Sequence, residues 1–445
     1  MSNYRYIASI LIEASTALRV GGSKADLITD SPVLRDYNGL PFIPGSSIAG
    51  VLRKHYPIMK LPDEEKLFGF QKGEDGLGSR VVVSNAHLVD ESGQVIEELQ
   101  LERSNYIKIF DMLPVRNHVR IGHKGTAENH GKFDEEICYK GTRWRFEIEL
   151  IGDESDEGVW NRLIGLLSLP TFRLGSGGSR GFGKLKIVSI HTAKLRIDDE
   201  QYIKKSASLN DVVGDEIILN YKWNEQVIHY ELNLKPDDFF MFGSGIGDED
   251  ADMIPVTEQV IVWQEMKNPK LSEEQILIPA SSIKGALSHR TAFYYNQIKE
   301  RFAEEYYGAK VNQIIGENNE AVAEIFGSAK GNEAKGHKGR ILLSDLFAPK
   351  NGEKVFDHVR IDRFRGGASD GALFQEKTFY GKDEWKIEIL IENFNAIDQE
   401  YLNAFEKALK DVANGMLPLG GLVNHGHGVF RGSVTKNGKE LRNEA

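Results

Sequence analysis

Residues Ile43 to Arg53 read IPGSSIAGVLR, and residues Ile278 to Arg290 read IPASSIKGALSHR. Two stretches this similar, within a chain of 445 residues, indicate an internal repeat of about half the chain. Every motif found in one half therefore has a counterpart to be sought in the other half.

Further pairs occur in the same order in both halves. They are Arg80–Ser84 (RVVVS) with Arg340–Ser344 (RILLS), His118–Ile121 with His358–Ile361 (both HVRI), Trp144–Ile148 (WRFEI) with Trp385–Ile389 (WKIEI), and the glycine-rich Leu174–Gly178 with Leu419–Gly421. Because unrelated domains that share one motif would not keep this order, the pattern predicts duplication of a whole domain.

The composition is typical of a soluble globular protein, with 40% hydrophobic and 27% charged residues. Cys138 is the only cysteine, which excludes an intramolecular disulfide and a thiolate zinc cluster and fits a reducing cytoplasm. The first residues alternate like a strand rather than a signal peptide, and no apolar run is long enough to predict a membrane span. The net charge of −11 argues against a basic nucleic-acid surface, although the segments around His118 and His358 are locally positive.

Strands and helices are interleaved in each half. Alternation predicts strands that open each half at Tyr4–Thr16 and Tyr230–Leu234, and later strands at Arg143–Ile151 and Trp385–Glu392. Predicted helices begin at Ser46/Ser47 and Ser281/Ser282 as N-caps, and the second is expected to run on to Ala309. The fold class is therefore α+β, with a first domain at 1–195, a polar linker at 196–224 and a second domain at 225–445.

Three motifs of the first half stand out together. They are DSPV at Asp30–Val33, the serine motif at Ile43–Arg53, and the loop GSGGSRGFGK at Gly175–Lys184. The second half repeats the serine motif and carries an altered glycine loop from Gly420 to Gly428. Together they resemble the RAMP superfamily of CRISPR-associated proteins, specifically a fused double backbone subunit of a type III-D-like effector complex.

The resemblance carries several expectations. It implies tandem ferredoxin-like (RNA-recognition-motif-like) RAMP domains with insertions and projecting β-hairpin thumbs. It implies binding along a CRISPR guide RNA, together with target RNA and other effector subunits, in a prokaryotic cytoplasm and without a membrane. In active members of the family a loop aspartate supports cleavage of the paired target RNA at regular intervals.

The serine motif suits contact with an RNA backbone. Gly45 or Ala280 permits close approach, and hydroxyls at a helix N-terminus together with its free N–H groups can hold a phosphate. The candidate residues are Gly45, Ser46, Ser47 and Arg53 in the first half and Ser281, Ser282 and Lys284 in the second. A plain helix N-cap is the alternative interpretation.

The glycine loops can cradle phosphates with backbone N–H groups. Gly177, Ser179 and Arg180 are the candidate RNA contacts of the first loop, and a tight turn is the alternative. His425 and His427 replace Arg180 and Phe182 in the second loop, so it is expected to contact RNA differently.

Asp30 is the candidate catalytic residue and metal ligand. A carboxylate can act as a base or position Mg²⁺ or Mn²⁺, and no organic cofactor is expected. A turn aspartate bonded to its own backbone is the alternative, and Asp26 and Asp36 are the nearest competing carboxylates. Asp252 aligns with Asp30 if the loops at Gly21 and Gly243 are superposed without a gap, which makes it a second candidate.

The glycine- and charge-rich segments His118–Phe133 and His358–Phe374 are expected to form the thumbs. Arg120, Arg360, Arg363 and Arg365 are candidate RNA contacts there, and Leu373-Phe374 is a candidate apolar tip that wedges between base pairs. Ordinary surface hairpins are the alternative. Scattered histidines without cysteine partners are poor evidence for a metal; they are His123, His130, His337, His425 and His427.

Three functions compete on this evidence. The first is a metal-dependent endoribonuclease subunit that holds guide RNA with both halves and cuts target RNA at Asp30. The second is a purely structural RNA-binding backbone, and the third is a cap subunit that grips only the 5′ handle of the guide. Two related halves favour a backbone role over the cap, and the DSPV motif favours activity over a scaffold.

Overall fold

A computed structural model describes most of the chain. The described residues are 3–22, 29–61, 63–221, 223, 227–264, 267–302, 304–329 and 336–441. Within them, each half of the sequence builds its own antiparallel sheet, covered by helices and extended by a long two-stranded hairpin.

The first half contains ten described strands and five α-helices. The strands are β1 (Tyr4–Ala14), β2 (Phe70–Lys72), β3 (Asp75–Leu77), β4 (Val81–Val83), β5 (His87–Leu88), β6 (Val115–Ile121), β7 (Ala127–Glu136), β8 (Arg143–Gly152), β9 (Leu185–Arg196) and β10 (Asp215–Glu216). The helices are α1 (Gly45–His55), α2 (Glu64–Phe68), α3 (Asn105–Lys108), α4 (Glu157–Gly165) and α5 (Glu200–Lys204).

The second half follows the same plan in its described residues. Its strands are β11 (Val227–Pro236), β12 (Phe239–Phe240), β13 (Thr257–Glu258), β14 (Ile261–Gln264), β15 (Lys267–Leu271), β16 (Gln275–Ile278), β17 (Gly327–Ser328), β18 (His337–Lys338), β19 (Ile341–Leu343), β20 (Leu346–Pro349), β21 (Glu353–Ile361), β22 (Ala368–Tyr380), β23 (Trp385–Glu392), β24 (Phe430–Lys436) and β25 (Lys439–Glu440). Its helices are α6 (Ala280–Ile298), α7 (Glu320–Phe326) and α8 (Gln399–Ala413).

The two main sheets have the same strand order. In the first, β9, β1, β8 and β4 lie side by side, and in the second, β24, β11, β23 and β19 do. When these four strands of each sheet are numbered in chain order, their order across the sheet is last, first, third, second. The duplication predicted from the collinear motifs therefore extends to the topology of the sheets.

The strands predicted by alternation are present because their apolar residues face one core. In β8, Trp144, Phe146, Ile148 and Leu150 are buried while the residues between them are partly exposed. β23 fills the same place in the second sheet and pairs with β11 from Val227↔Glu392 to Leu234↔Trp385. Each sheet carries its own hydrophobic core.

Two predictions about the helices are wrong in detail. The N-caps of α1 and α6 are Pro44 and Pro279, and neither makes a side-chain cap hydrogen bond, so the serines lie inside the first turn. Helix α6 is longer than α1, as predicted, but it ends at Ile298 rather than Ala309. Glu300 adopts a positive φ of 53°, and the Arg301 N–H donates to the Asn296 carbonyl, which closes the helix.

The segment predicted as the linker packs against the first sheet. Within it, β10 pairs with β9, and Leu209 and Val213 are buried. The domain boundaries proposed at 195/196 and 224/225 stay predictions.

The two halves are joined by buried polar contacts. Arg116 of β6 bonds Glu258 and Asp345 of the second half. Arg173 donates to the Leu343 carbonyl at 2.6 Å and to Ser344 Oγ at 3.0 Å. Since buried polar groups are stable only when they are paired, these contacts fix how the halves meet.

Candidate nucleic-acid interface

Asp30 lies exposed at the base of the first hairpin, β6–β7. Its N–H donates to Asp134 Oδ1 at 2.8 Å, and the Asp134 N–H donates to Asp30 Oδ2 at 3.2 Å. The Glu136 N–H donates to the Ser31 carbonyl at 3.1 Å, so the segment after Asp30 runs along β7. Two carboxylates are thereby held side by side at the surface.

Asp252 occupies the equivalent place at the base of the second hairpin, β21–β22. Its Oδ2 accepts the Gln375 N–H at 2.8 Å, as Asp30 Oδ2 accepts that of Asp134. The bridges Gly21↔Val33 and Gly243↔Pro255 have the same spacing, which supports the gap-free alignment of the two aspartates. Gln375 stands where the first half has Asp134, and its Nε2 donates to Asp357 Oδ1 at 2.7 Å, so the second carboxylate of this site lies on the neighbouring strand.

Two other aspartates near Asp30 in sequence are not part of this arrangement. Asp36 Oδ1 accepts the N–H groups of Asn38 and Leu40 at 2.8 and 2.9 Å, which makes it a turn residue. Asp26 lies outside the described residues.

Both hairpins carry an exposed apolar stripe. Val119 pairs with Lys132 in the first hairpin, and Val359 pairs with Leu373 in the second. The exposed apolar residues of the stripes are Val115, Val119 and Ile121 in the first hairpin and Val355, Val359, Ile361 and Leu373 in the second. Because side chains alternate across a strand, each stripe shares its face with the residues beside the base aspartate.

The predicted apolar tip is wrong. Phe374 stacks on His358 near the base, with ring centroids 4.8 Å apart, and Leu373 lies along the hairpin. The tip is the turn in which the Asp362 N–H donates to the Gly367 carbonyl at 2.8 Å, and there Phe364 is fully exposed. The turn glycines, rather than the aromatic pair, set the position of the tip.

The candidate thumb arginines are exposed. Arg360, Arg363 and Arg365 have no ion pair among the described residues and flank the fully exposed Phe364. Arg120 is different, because its Nε lies 2.9 Å from Glu128 and a second guanidinium nitrogen lies 3.5 Å from Glu317. The second hairpin therefore offers the stronger positive charge to a polyanion.

Beneath the first hairpin lies a buried carboxylate, Glu135. It is bonded by Arg19 and by Arg180 (2.7 Å), with His118 Nε2 at 3.4 Å. Burial raises the pKa of Glu135, but the nearby His118 imidazole and the charges of Arg180 and Arg19 outweigh it and lower the pKa to about 2. Arg180 therefore bonds a buried carboxylate, while part of its side chain stays accessible at the surface.

The second half places Glu376 at the same point of β22, but surrounds it with histidines. His427 Nε2 lies 2.6 Å and His358 Nε2 3.0 Å from Oε1, and His425 Nδ1 lies 3.3 Å from Oε2. Burial raises the pKa of Glu376, but hydrogen bonds from His427, His358 and His425 outweigh it and lower the pKa. The sequence motifs gave no sign of this cluster, because its members come from three separate segments of the chain, around His358, Glu376 and His425.

The first serine motif is partly occupied by the protein itself. A Cβ on Gly45 would lie 2.1 Å from the Val83 carbonyl, so the close approach that requires glycine is to β4. The Gly45 N–H donates to Asn85 Oδ1 at 2.9 Å, and Arg53 Nε pairs with Glu64 at 2.6 Å. Ser46 is exposed and Ser47 half-buried, and an RNA contact by any of these residues stays a prediction.

The second serine motif meets the first glycine loop across the boundary between the halves. Lys284 Nζ donates to Ser179 Oγ at 3.2 Å, and a Cβ on Gly181 would lie 2.0 Å from Asp345 Oδ1. The Ala280 N–H donates to the same Asp345 oxygen at 2.8 Å. Burial, and then the neighbouring charge of Arg180, lower the pKa of Lys284 to about 8.

Other predicted residues of these two motifs lie close by. Ser281 is half-buried and Ser282 exposed. Gly177 adopts a φ of +76°, and a Cβ there would lie 2.4 Å from Phe182, so glycine is required by the loop itself. Lys284, Ser179 and Arg180 thus form one cross-repeat group, which sequence alone could not have assembled.

Comparison with protein families matches residues 11–186 and 267–431 to the RAMP superfamily. The chain belongs to this superfamily. The two matched regions are the two halves described above, and each includes a base aspartate or its hairpin.

Curated relatives share part of the chain. The "CRISPR system Cms endoribonuclease Csm3" of Methanocaldococcus jannaschii is 29% identical over 200 residues, 40% of this chain and 77% of the relative. The protein of the same name from Streptococcus thermophilus is 29% identical over 204 residues, 40% of this chain and 84% of the relative. That of Methanothermobacter thermautotrophicus is 26% identical over 253 residues, 47% of this chain and 93% of the relative. Most of each relative thus corresponds to about one half of this RAMP chain.

The described helices include none with the length and apolar character needed to cross a membrane.

Proposed function

We propose that this RAMP protein is a subunit of a type III CRISPR effector complex that binds guide RNA and cleaves complementary target RNA. Superfamily membership and the endoribonuclease Csm3 relatives support an RNA-cleaving effector subunit. The observation that carries the proposal is an exposed aspartate held at the base of each projecting hairpin.

The fold proposal is a ferredoxin-like arrangement in each half. The spatial strand order of last, first, third, second supports it, with a helix after the first and after the third of these strands in each half. The hairpins β6–β7 and β21–β22 are then insertions that serve as thumbs.

In the proposed mechanism the thumb displaces a target nucleotide and Asp30 acts on the exposed backbone. The apolar stripe of Val115, Val119 and Ile121 packs against bases, and Asp30 accepts the proton of the attacking hydroxyl. The hydroxyl oxygen attacks phosphorus, the bond to the 5′ oxygen breaks, and a solvent water molecule gives the leaving 5′ oxygen its proton. The attacking group is the neighbouring 2′-hydroxyl or a water molecule.

Asp30 and Asp134 would hold the Mg²⁺ or Mn²⁺ proposed for cleavage. They fit such an ion because hard divalent cations prefer carboxylate oxygens, and the hydrogen bonds between the two residues leave one oxygen of each carboxylate open within the described part of the chain. Phosphate oxygens and water would complete the ligands. When bound, the ion would neutralise charge on the phosphate.

The proposed partners contact different surfaces. The candidate contacts to RNA phosphates are Arg360, Arg363 and Arg365, which have no ion pair in the described part of the chain, and the cations around Lys284 at a helix start. At the junction of the two halves, the second serine motif packs against the first glycine loop. The first serine motif offers the same surface to a glycine loop of another effector subunit.

The test is to isolate the complex from its host through this subunit and to sequence the bound RNA. Discrete repeat-derived RNAs are expected, and complementary target RNA should be cut at regular positions with Mg²⁺ and stay uncut with EDTA. Bound RNA without repeat sequence would contradict the guide-binding proposal. Guide RNA without target cleavage would leave a structural backbone.

The lowered pKa of Lys284 predicts pH-dependent RNA binding. A nearby phosphate favours the charged amine, so binding takes up a proton above pH 8, where free Lys284 is increasingly neutral. Affinity should be level below pH 8 and fall by up to about tenfold per pH unit above it, until the pKa of the bound lysine is reached.

Fluorescence anisotropy with a short RNA of adenosine and cytidine, whose bases do not titrate in this range, measures the effect. Lys284→Arg is the matched control, because arginine stays charged and its affinity should be level with pH. Identical pH profiles for the wild type and Lys284→Arg would contradict a phosphate contact by Lys284.

A further inference from the structure

Three imidazole nitrogens converge on one buried carboxylate in the second half. His358 comes from β21, Glu376 from β22, and His425 and His427 from the glycine loop before β24. The Glu376 side chain is fully buried, and one ligand atom from each of His358, Glu376 and His425 lies within 4.8 Å of the others. The fourth member, His427, is 2.6 Å from Glu376.

The equivalent position in the first half shows which charge balances a buried carboxylate there. Glu135 is bonded there by two permanent cations, Arg19 and Arg180. In the second half, Met241 replaces Arg19, because the Met241 carbonyl contacts the second glycine loop as the Arg19 carbonyl contacts the first. His425 replaces Arg180 at the matching position of the second glycine loop. Both arginines are lost while the buried carboxylate is kept.

Glu376 therefore lacks a permanent counter-ion among the described residues. Its ion pairs there are to histidines, which carry charge only when protonated. A divalent cation beside one carboxylate leaves the same net charge as two arginines beside one carboxylate. It would restore the balance that the substitutions remove.

The ligand set selects a class of metal. Two imidazoles and one carboxylate are a common protein ligand set for zinc and related first-row divalent ions, whereas Mg²⁺ and Ca²⁺ prefer sets made of oxygen alone. Tetrahedral bonds of the length usual for zinc place ligand atoms about 3.4 Å apart. The nitrogen-to-oxygen distances of 3.0 Å for His358 and 3.3 Å for His425 would need only slight widening, while His427 holds Glu376 Oε1 at 2.6 Å from outside this three-residue group.

The surroundings suit a bound ion. Phe374 stacks on His358 at 4.8 Å, Phe356 lies 5.7 Å from His427, and Phe239 lies 6.0 Å from the same ring. This apolar wall limits the motion of the ligands and the access of water. His425 and His358 are partly exposed on the other side, which leaves an entry path.

We propose that His358, Glu376 and His425 form a site for a divalent transition metal of the zinc class, with His427 bonded to Glu376 beside it. Neighbouring residues of a strand point to opposite faces, so Glu376 faces away from the side of β22 on which Gln375 and Asp252 lie. The metal fastens the second thumb to its glycine loop, and is separate from any ion at Asp30. This metal site is proposed independently of whether the chain cleaves RNA.

The experiment uses the full chain, purified without a histidine tag or chelator. Mass spectrometry of the metals should find on the order of one zinc ion per chain, and Co²⁺ added after stripping should give the visible spectrum of tetrahedral coordination. EDTA should lower the unfolding temperature, and Zn²⁺, but not Mg²⁺, should restore it.

The paired variants Met241→Arg/His425→Arg provide the sharpest control, because they recreate the arginine pair of the first half. This double variant should lose the metal, stay folded and no longer respond to EDTA. His118→Gln in the first half should keep the metal. A stripped wild type that fails to take up Zn²⁺ and Co²⁺, or a double variant that retains the same metal content, would overturn the proposal.

Discussion

Replacing Asp30 with asparagine is expected to slow target-RNA cleavage at one position by about 10²–10⁴-fold and to leave guide and target binding unchanged. The amide oxygen of asparagine can still accept the Asp134 N–H that Asp30 Oδ2 accepts at 3.2 Å, so the loop should keep its shape. Only the negative charge is lost, and with it the base and the metal ligand. Gel analysis of cleavage products from the assembled complex measures the effect.

Asp36→Asn is the matched control for this prediction. It makes the same chemical change six residues away, where Asp36 Oδ1 holds a turn at 2.8 Å from the Asn38 N–H. We expect wild-type cleavage in this variant. If Asp30→Asn cleaved at every position as fast as the control, the enzymatic function would be wrong and a structural backbone would remain.

Asp252→Asn should remove a second, separate cut. The Gln375 N–H holds Asp252 as the Asp134 N–H holds Asp30, so the geometry is repeated. Since one oxygen of the neighbouring Asp357 carboxylate accepts Gln375 Nε2 at 2.7 Å, the second site should need a higher Mg²⁺ concentration and cut more slowly. The double variant Asp30→Asn/Asp252→Asn should bind target RNA without cutting it within the footprint of this subunit. Cleavage in Asp252→Asn that matches the wild type at both positions would confine activity to the first half.

Local patterns were sufficient to predict the repeat and much of each half. Alternation in residues 143–151 reflects a strand with one face in the core, and that cause is local, so β8 appears where it was expected. The equivalence of Asp252 and Asp30 was also accessible, because the loops that precede them have the same length. Motif order along the chain carries this information without any knowledge of packing.

What escaped prediction depends on contacts between distant segments. The histidine cluster joins a thumb strand, its partner and a glycine loop, and only the fold brings His358 to His425. The contact between Lys284 and Ser179 depends on how the two halves pack. The prediction of the serines as N-caps is wrong because several neighbouring residues are compatible with a helix start, and here the proline before them takes the N-cap position.

Replacing Arg116 with methionine is expected to lower the free energy of unfolding by about 3–5 kcal/mol. The Arg116 guanidinium lies between Glu258 (2.8 Å) and Asp345, which the second half contributes. Burial lowers the pKa of Arg116, but Asp345 and Glu258 outweigh it and raise the pKa above its ordinary value. Without the arginine, two carboxylates would stay buried without a permanent counter-ion.

The loss should appear at the junction of the halves, because Asp345 also accepts the Ala280 N–H at 2.8 Å and packs against Gly181. Urea unfolding followed by tryptophan fluorescence should give a lower midpoint and two separated transitions where the wild type gives coupled ones. Arg120→Met is the matched control on the same strand. Arg120 pairs with Glu128 at 2.9 Å and with Glu317 of the second half at 3.5 Å, but both contacts are at the surface, so this variant should change stability by no more than about 1 kcal/mol. Adding Glu258→Gln and Asp345→Asn to Arg116→Met should recover part of the loss, since the unpaired charges are then removed. Equal midpoints for Arg116→Met and Arg120→Met would mean that the buried triad does not hold the halves together, and the apolar contacts between them would have to do so.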